Sequence, residues 1–199
     1  PGGVDGYVAT FTSTTGSLNA LTYIGTSSYD QSYIVEIDHE NNIYVVGQTK
    51  GNYPVTPNTY NNQGANQFIH KLNKTLTTTD FSTVFGSLNS WTINISLTAF
   101  LVDNCDNIYV AGWGGTPSNN EGNTYNMPIT TNAIQSNTDG SDFYFIVLDK
   151  DAQNLIYSTY FGDGAVSEHV DGGTSRFDKQ GVIYQGVCAG CWGLSFPTS

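Results

Sequence analysis

Three cysteines, three histidines and 17 acidic residues are the groups in this chain that could hold a metal or carry a reaction. Cys188 and Cys191 form a CxxC pair, and with Cys105 and His169 they would supply the four ligands of a zinc site. Acidic residues cluster at Asp103 with Asp106, Asp139 with Asp142, Asp149 with Asp151 and Glu168 with Asp171. Calcium takes six to eight oxygens, and none of these clusters completes an EF-hand or RTX-type loop. Calcium therefore stays open as a cofactor, without an assigned metal residue. His169, between Glu168 and Asp171, has the chemistry of a general base, but no serine or cysteine stands beside it in a nucleophile motif and no GxSxG occurs. Trp113 stands in GWGG and Trp192 in CWG, two similar strings. On an exposed rim they could stack on a sugar ring; packed between sheets they would be core.

The elements that must position these groups come from an internal repeat. NNIYVVG, DNIYVAG and GVIYQG place Tyr44, Tyr109 and Tyr184 in one pattern, each with an aspartate six residues earlier, Asp38, Asp103 and Asp178. Upstream anchors keep step: TYIG, TVFG and TYFG end at Gly25, Gly86 and Gly162, and GYVATF, QFIHKL and FYFIVL open each unit. The repeat units are thus 5–66, 67–141 and 142–199. Each reads as four short strands, the first set being Gly6–Phe11, Ala20–Gly25, Tyr33–Asp38 and Asn42–Gln48. Asp38, Asp103 and Asp178 open the turn between the third and fourth strands, where a carboxylate can accept backbone N–H bonds. The segments PVTPNTY and PITTNAI cannot donate to a ladder at proline and read as inter-unit connections.

Repetition also weighs against zinc. Cys105 precedes its tyrosine by four residues and Cys188 follows its own by four, which puts them roughly 26 Å apart along equivalent strands. A local disulfide and free thiols are the other readings.

Tandem four-stranded antiparallel units, with strands apolar on both faces as in Phe143–Leu148, predict an all-β fold of β-propeller blades. Three blades fall short of the four to eight that close a ring, so the chain reads as part of a larger propeller. Abundant Gly, Tyr and Phe with only 12% charged residues agree with strands and tight turns in a folded domain. The formal charge of −11 excludes nucleic acid as a natural partner. No apolar run approaches the length that crosses a bilayer as a helix, so no membrane insertion is expected. The start at Pro1-Gly2-Gly3 reads as a processed or excised piece of something longer.

The order of DGYVATF, TYIG, NNIYVVG and PVTPNTY resembles the bacterial tandem propeller repeats called SBBP repeats. VDNCDNIYVAGWGG, DGSDFYFIVLDKD and EHVDGGTSRFDKQGVIYQGVCAGC more narrowly resemble large exported proteins of gliding bacteria that carry a gliding-motility-associated C-terminal domain and use type IX secretion. The resemblance implies a secreted, cell-surface module with a structural or adhesion role in surface attachment or gliding motility, and no enzyme. For an exported protein it favours a Cys188–Cys191 disulfide, with Cys105 left as a free thiol or paired outside the chain. The partners implied are other blades or domains of the parent chain and a surface glycan or protein. The alternative is a carbohydrate-binding module built on Trp113 and Trp192.

Overall fold

The computed structural model describes residues 3–88, 92–115, 122–163, 168–169 and 175–189. Its strands are β1 (Gly6–Phe11), β2 (Leu18–Ile24), β3 (Asp30–Ile37), β4 (Ile43–Thr49), β5 (Gln67–Leu72), β6 (Thr79–Phe85), β7 (Ser96–Val102), β8 (Ile108–Trp113), β9 (Phe143–Leu148), β10 (Leu155–Phe161), β11 (Glu168–His169), β12 (Arg176–Phe177), β13 (Ile183–Tyr184) and β14 (Cys188–Ala189). A single 3-10 turn at Lys150–Ala152 is the only helical element among the described residues. None of their helices is long and apolar enough to cross a membrane.

All pairings are antiparallel, and the fold is all-β. Two sheets are complete, β3-β4-β5-β6 and β7-β8-β9-β10; β1–β2, β12–β13 and β11–β14 are two-stranded. The expectation of three four-stranded blades is corrected to two, and the described residues do not close a ring. The reason is phase. β4 does not end a sheet; it pairs with the opening strand of the next repeat, from Ile43 with Leu72 to Gln48 with Gln67. β8 pairs likewise with β9, from Ile108 with Leu148 to Trp113 with Phe143. Each sequence unit therefore gives two strands to one sheet and two to the following one.

Tyr44, Tyr109 and Tyr184 occupy equivalent places, opposite Glu36, Leu101 and Arg176. They lie on the second strand of three successive sheets, not the fourth, because of the same offset. The third repeat unit contributes two separate two-stranded pairings among the described residues, β11 with β14 and β12 with β13.

The proline segments were expected to run between sheets. They lie within one sheet, between its second and third strands, and fold back over its outer edge. Thr56 N donates to Ser82 O (2.9 Å), Asn62 N to Val84 O (3.0 Å), and Ser82 Oγ to Pro54 O (2.7 Å). Thr130, Pro128 and Gln135 meet β10 in the same way. Proline cannot donate, but its carbonyl accepts, so these segments cap strand edges that would otherwise present unpaired groups to other chains.

The main core lies between the two complete sheets, with Tyr44, Ile69, Phe85, Ile108, Tyr144 and Ile146 fully buried. A second cluster, Val8, Ile24, Val45, Phe68 and Val84, joins β1–β2 to the first complete sheet. Phe143–Leu148, apolar on both faces, is largely buried in the middle of the second sheet. The β1–β2 hairpin differs: Tyr7 is 63% and Tyr23 71% exposed, with Phe11, Leu18 and Leu21 also exposed. The inner strands stand side by side, β3 against β7 and β7 against β12.

Candidate functional site

The aspartate turns are built identically. Asp38 Oδ1 accepts from Glu40 N and Asn42 N, both 2.9 Å. Asp103 Oδ1 accepts from Cys105 N (2.8 Å) and Asn107 N (2.9 Å), and Asp178 Oδ1 from Gln180 N (2.9 Å) and Val182 N (3.0 Å). The left-handed backbone this needs falls on Asn41, Asp106 and Gly181, types that tolerate it. Burial works against the charge of Asp38 and Asp103, but the hydrogen bonds from Asn42 and Asn107 outweigh it and hold both below the usual carboxylate range. The other oxygen of Asp103 and of Asp178 takes the hydroxyl of Tyr109 (3.0 Å) and Tyr184 (3.3 Å). In the first unit Tyr44 is buried, and Lys71 Nζ reaches Asp38 Oδ2 instead at 3.5 Å, with Asp151 at 3.4 Å. The carboxylates thus close the turns between β3 and β4, β7 and β8, and β12 and β13.

Members of three of the acidic pairs weighed for calcium have partners of their own among the described residues. Asp106 meets Lys150 (3.0 Å) and His39 (3.2 Å), Asp139 accepts from Ser141, and Asp149 accepts from Asn154. No group of three or more His, Cys, Asp or Glu residues gathers as a metal site among the described residues. Cys105 is an exposed free thiol in its turn. Cys188 starts β14, and its backbone pairs with His169; the side chains of Cys188, His169 and Glu168 are outside what is described, as are Asp171, Cys191 and Trp192. The disulfide expectation and one of the two rim tryptophans therefore fall outside the described residues.

Trp113 ends β8, half-buried, between Ser96 and Phe143. It lines an open cavity of about 800 Å³ with Tyr33, Gln48, Lys50, Asn66 and Ile95. Gln31 Oε1 accepts from Tyr33 Oη (3.2 Å) and Gln48 Nε2 (3.2 Å), which fixes the orientation of both. Burial, with Tyr29 nearby, raises the Tyr33 pKa, so its hydroxyl stays protonated. Asn66, 2% exposed, donates to Thr49 O at 2.6 Å, while its Oδ1 has no hydrogen-bond partner. The cavity thus joins two aromatic rings to amide and ammonium donors, a chemistry suited to a polar ligand with one apolar face. Sequence reasoning found Trp113 alone. Tyr33, Gln48 and Asn66 carry no local signal, because they meet only when β4 pairs with β5.

No curated protein matches the chain. The family model of the beta-propeller repeat called SBBP matches residues 21–54, from within β2 through β3 and β4 to the first proline of the edge-capping segment, and a repeat of this kind points to a structural or protein-interaction module.

Proposed function

We propose that the chain is a non-enzymatic structural and adhesion module of a larger protein displayed on a bacterial surface or secreted, working in surface attachment or gliding motility. The observation that carries this reading is the β1–β2 hairpin. One face packs Val8 and Ile24 into the core, while the other presents Tyr7, Phe11, Leu21 and Tyr23 to solvent. An aromatic patch of this kind beside a half-sheet is a surface built to meet a neighbour. Light scattering on the 199-residue protein, compared with Tyr7→Ser/Tyr23→Ser, tests it: self-association in the parent and a monomer in the variant are expected. A parent that stays monomeric, or that turns over chromogenic glycoside, ester or peptide substrates, contradicts it.

The cavity beside Trp113 supports a second reading, carbohydrate binding. Tyr33 and Trp113 offer stacking surfaces, and Gln48, Lys50 and Asn66 the polar contacts that orient sugar hydroxyls. A glycan array should show binding that Trp113→Ala removes and Trp113→Phe largely keeps; an array without signal refutes this reading and leaves the structural one intact.

A further inference from the structure

We propose that Asp5, Asp30 and Ser32 hold a hard divalent cation, calcium in the first place, at the junction between the β1–β2 hairpin and the first complete sheet. Asp5 precedes β1, and Asp30 opens β3. Their side chains converge over Gly25: Asp5 Oδ1 and Asp30 Oδ2 each stand 2.9 Å from the point a β-carbon on Gly25 would occupy. The hydroxyl of Ser32 presses on Gly6 in the same way, where a β-carbon would collide with it. Two absent side chains thus make room for oxygens.

Asp30 is wholly buried. Its Oδ2 accepts from Thr26 N (2.6 Å) and Thr26 Oγ1 (2.9 Å), whereas its buried Oδ1 has no hydrogen-bond partner. Ser32 Oγ, also buried, has none either. A buried carboxylate oxygen without a donor is strongly unfavourable unless something positive meets it.

The next junction of the same molecule shows what normally fills this place. There Asn94 closes the corresponding turn, its Oδ1 accepting from Ser87 N at 2.9 Å beside Gly86, the counterpart of Gly25. Its Nδ2 then donates to Ser87 Oγ (2.8 Å) and Asn123 O (2.7 Å). Asn66 stands where the first junction has Asp5. Gln67, at the place of Gly6, donates to Ile95 O (2.8 Å) and accepts from Ile95 N (3.2 Å). One junction is closed by amides that both donate and accept. The other has carboxylates and a hydroxyl around space left by glycine, in a chain of net charge −11. Oxygen-only ligands with two carboxylates select calcium over softer metals, with water completing the shell; magnesium demands a stricter octahedron.

Calorimetric titration of calcium chloride into the metal-stripped 199-residue protein, with thermal melts alongside, tests this. One site and a transition raised by several degrees at saturating calcium are expected. Asp5→Asn and Asp30→Asn should each weaken binding at least ~10-fold. Asp30→Asn should fold, because Asn94 performs the same turn closure; Gly25→Ala, which fills the cradle without changing a charge, is the independent check and should also abolish binding. Asp139→Asn, in another acidic cluster, should bind like the parent. A titration without heat and an unmoved transition mean that water fills the cradle and overturn the proposal. Full calcium affinity in Asp5→Asn, Asp30→Asn and Gly25→Ala would do the same, placing the ion elsewhere.

Discussion

Lowering the pH from 7 to 5 should destabilise the protein through one side chain, His70. It sits on β5 with Nδ1 2.8 Å from Tyr53 Oη and Nε2 2.8 Å from Thr79 Oγ1. Tyr53 in turn stacks on Phe68 with ring centroids 4.2 Å apart. Neutral imidazole offers one donor and one acceptor, and two hydroxyls satisfy both. Burial pushes the pKa down from 6.5 to about 4. Between these values the unfolded chain binds a proton that the folded one refuses, so stability is fully present above about 6.5 and falls as pH drops toward 4. Taking the shift at face value, about 2 kcal/mol is lost by pH 5, before most carboxylates titrate. With a urea slope of about 2 kcal/mol/M, the midpoint moves by roughly 1 M. Urea curves at pH 7, 6 and 5 should show this shift in the parent, and a much smaller one in His70→Gln, which keeps polar atoms near both hydroxyls. Parallel shifts in the two proteins, or a His70 ring proton titrating near 6.5 by NMR, would refute the reasoning.

Asp103→Ala removes the acceptor of Cys105 N, Asn107 N and Tyr109 Oη, and should cost about 1–3 kcal/mol in urea unfolding; a loss below about 0.5 kcal/mol means water replaces the carboxylate without penalty. Because Asp38 and Asp103 are held below the usual range, the stability they add is present above about pH 4 and disappears as pH falls through their folded values, so the difference between the parent and Asp103→Ala should shrink toward pH 2. Gly47→Ala drives a methyl into Gln31 O and the Phe68 ring and should cost about 1–3 kcal/mol, read from the denaturation midpoint. Asp142 is buried with its pKa raised, first by desolvation, and its charge opposes folding at neutral pH. Asp142→Asn should therefore raise the melting temperature at pH 7, with a gain that narrows as the solution is acidified; an unchanged or lower value at pH 7 counts against this.

What could be read from the residues was local. A carboxylate followed at two and four residues by backbone N–H groups is a turn wherever it occurs, so Asp38, Asp103 and Asp178 were legible before any fold was known. Strand positions were legible too, because both faces of β9 are covered and its apolar run says so. The cavity was not, apart from Trp113. Its remaining walls come from β3, β4 and the segments before β5 and β7, whose contacts depend on pairing across long connections. The junction of Asp5 with Asp30 was equally hidden, since neither residue belongs to an acidic cluster in sequence.

The phase of the sheets was illegible for a deeper reason. A tandem repeat specifies its period, but antiparallel neighbours pair equally well on either side of any chosen boundary. The β1–β2 pairing within a unit and the β4–β5 pairing between units obey the same rules. What breaks the tie is the connection. Between β2 and β3 only five residues intervene, and Asp30, which opens β3, closes on Thr26 among them and turns the chain into the next sheet. Between β4 and β5 the chain is longer, and Thr56, Tyr60 and Asn62 anchor it along β6, the outer strand of its own sheet. The long connection therefore stays within a sheet and the short one crosses. Each of the two complete sheets is consequently stitched from two repeats, and removing the middle sequence unit would leave two half-sheets with open edges. That arrangement ties each repeat to its neighbours by backbone hydrogen bonds as well as by packed faces. The junctions at Gly25 and Gly86, where consecutive sheets meet, accordingly hold buried polar side chains, Asp30 and Asn94, packed over the glycines.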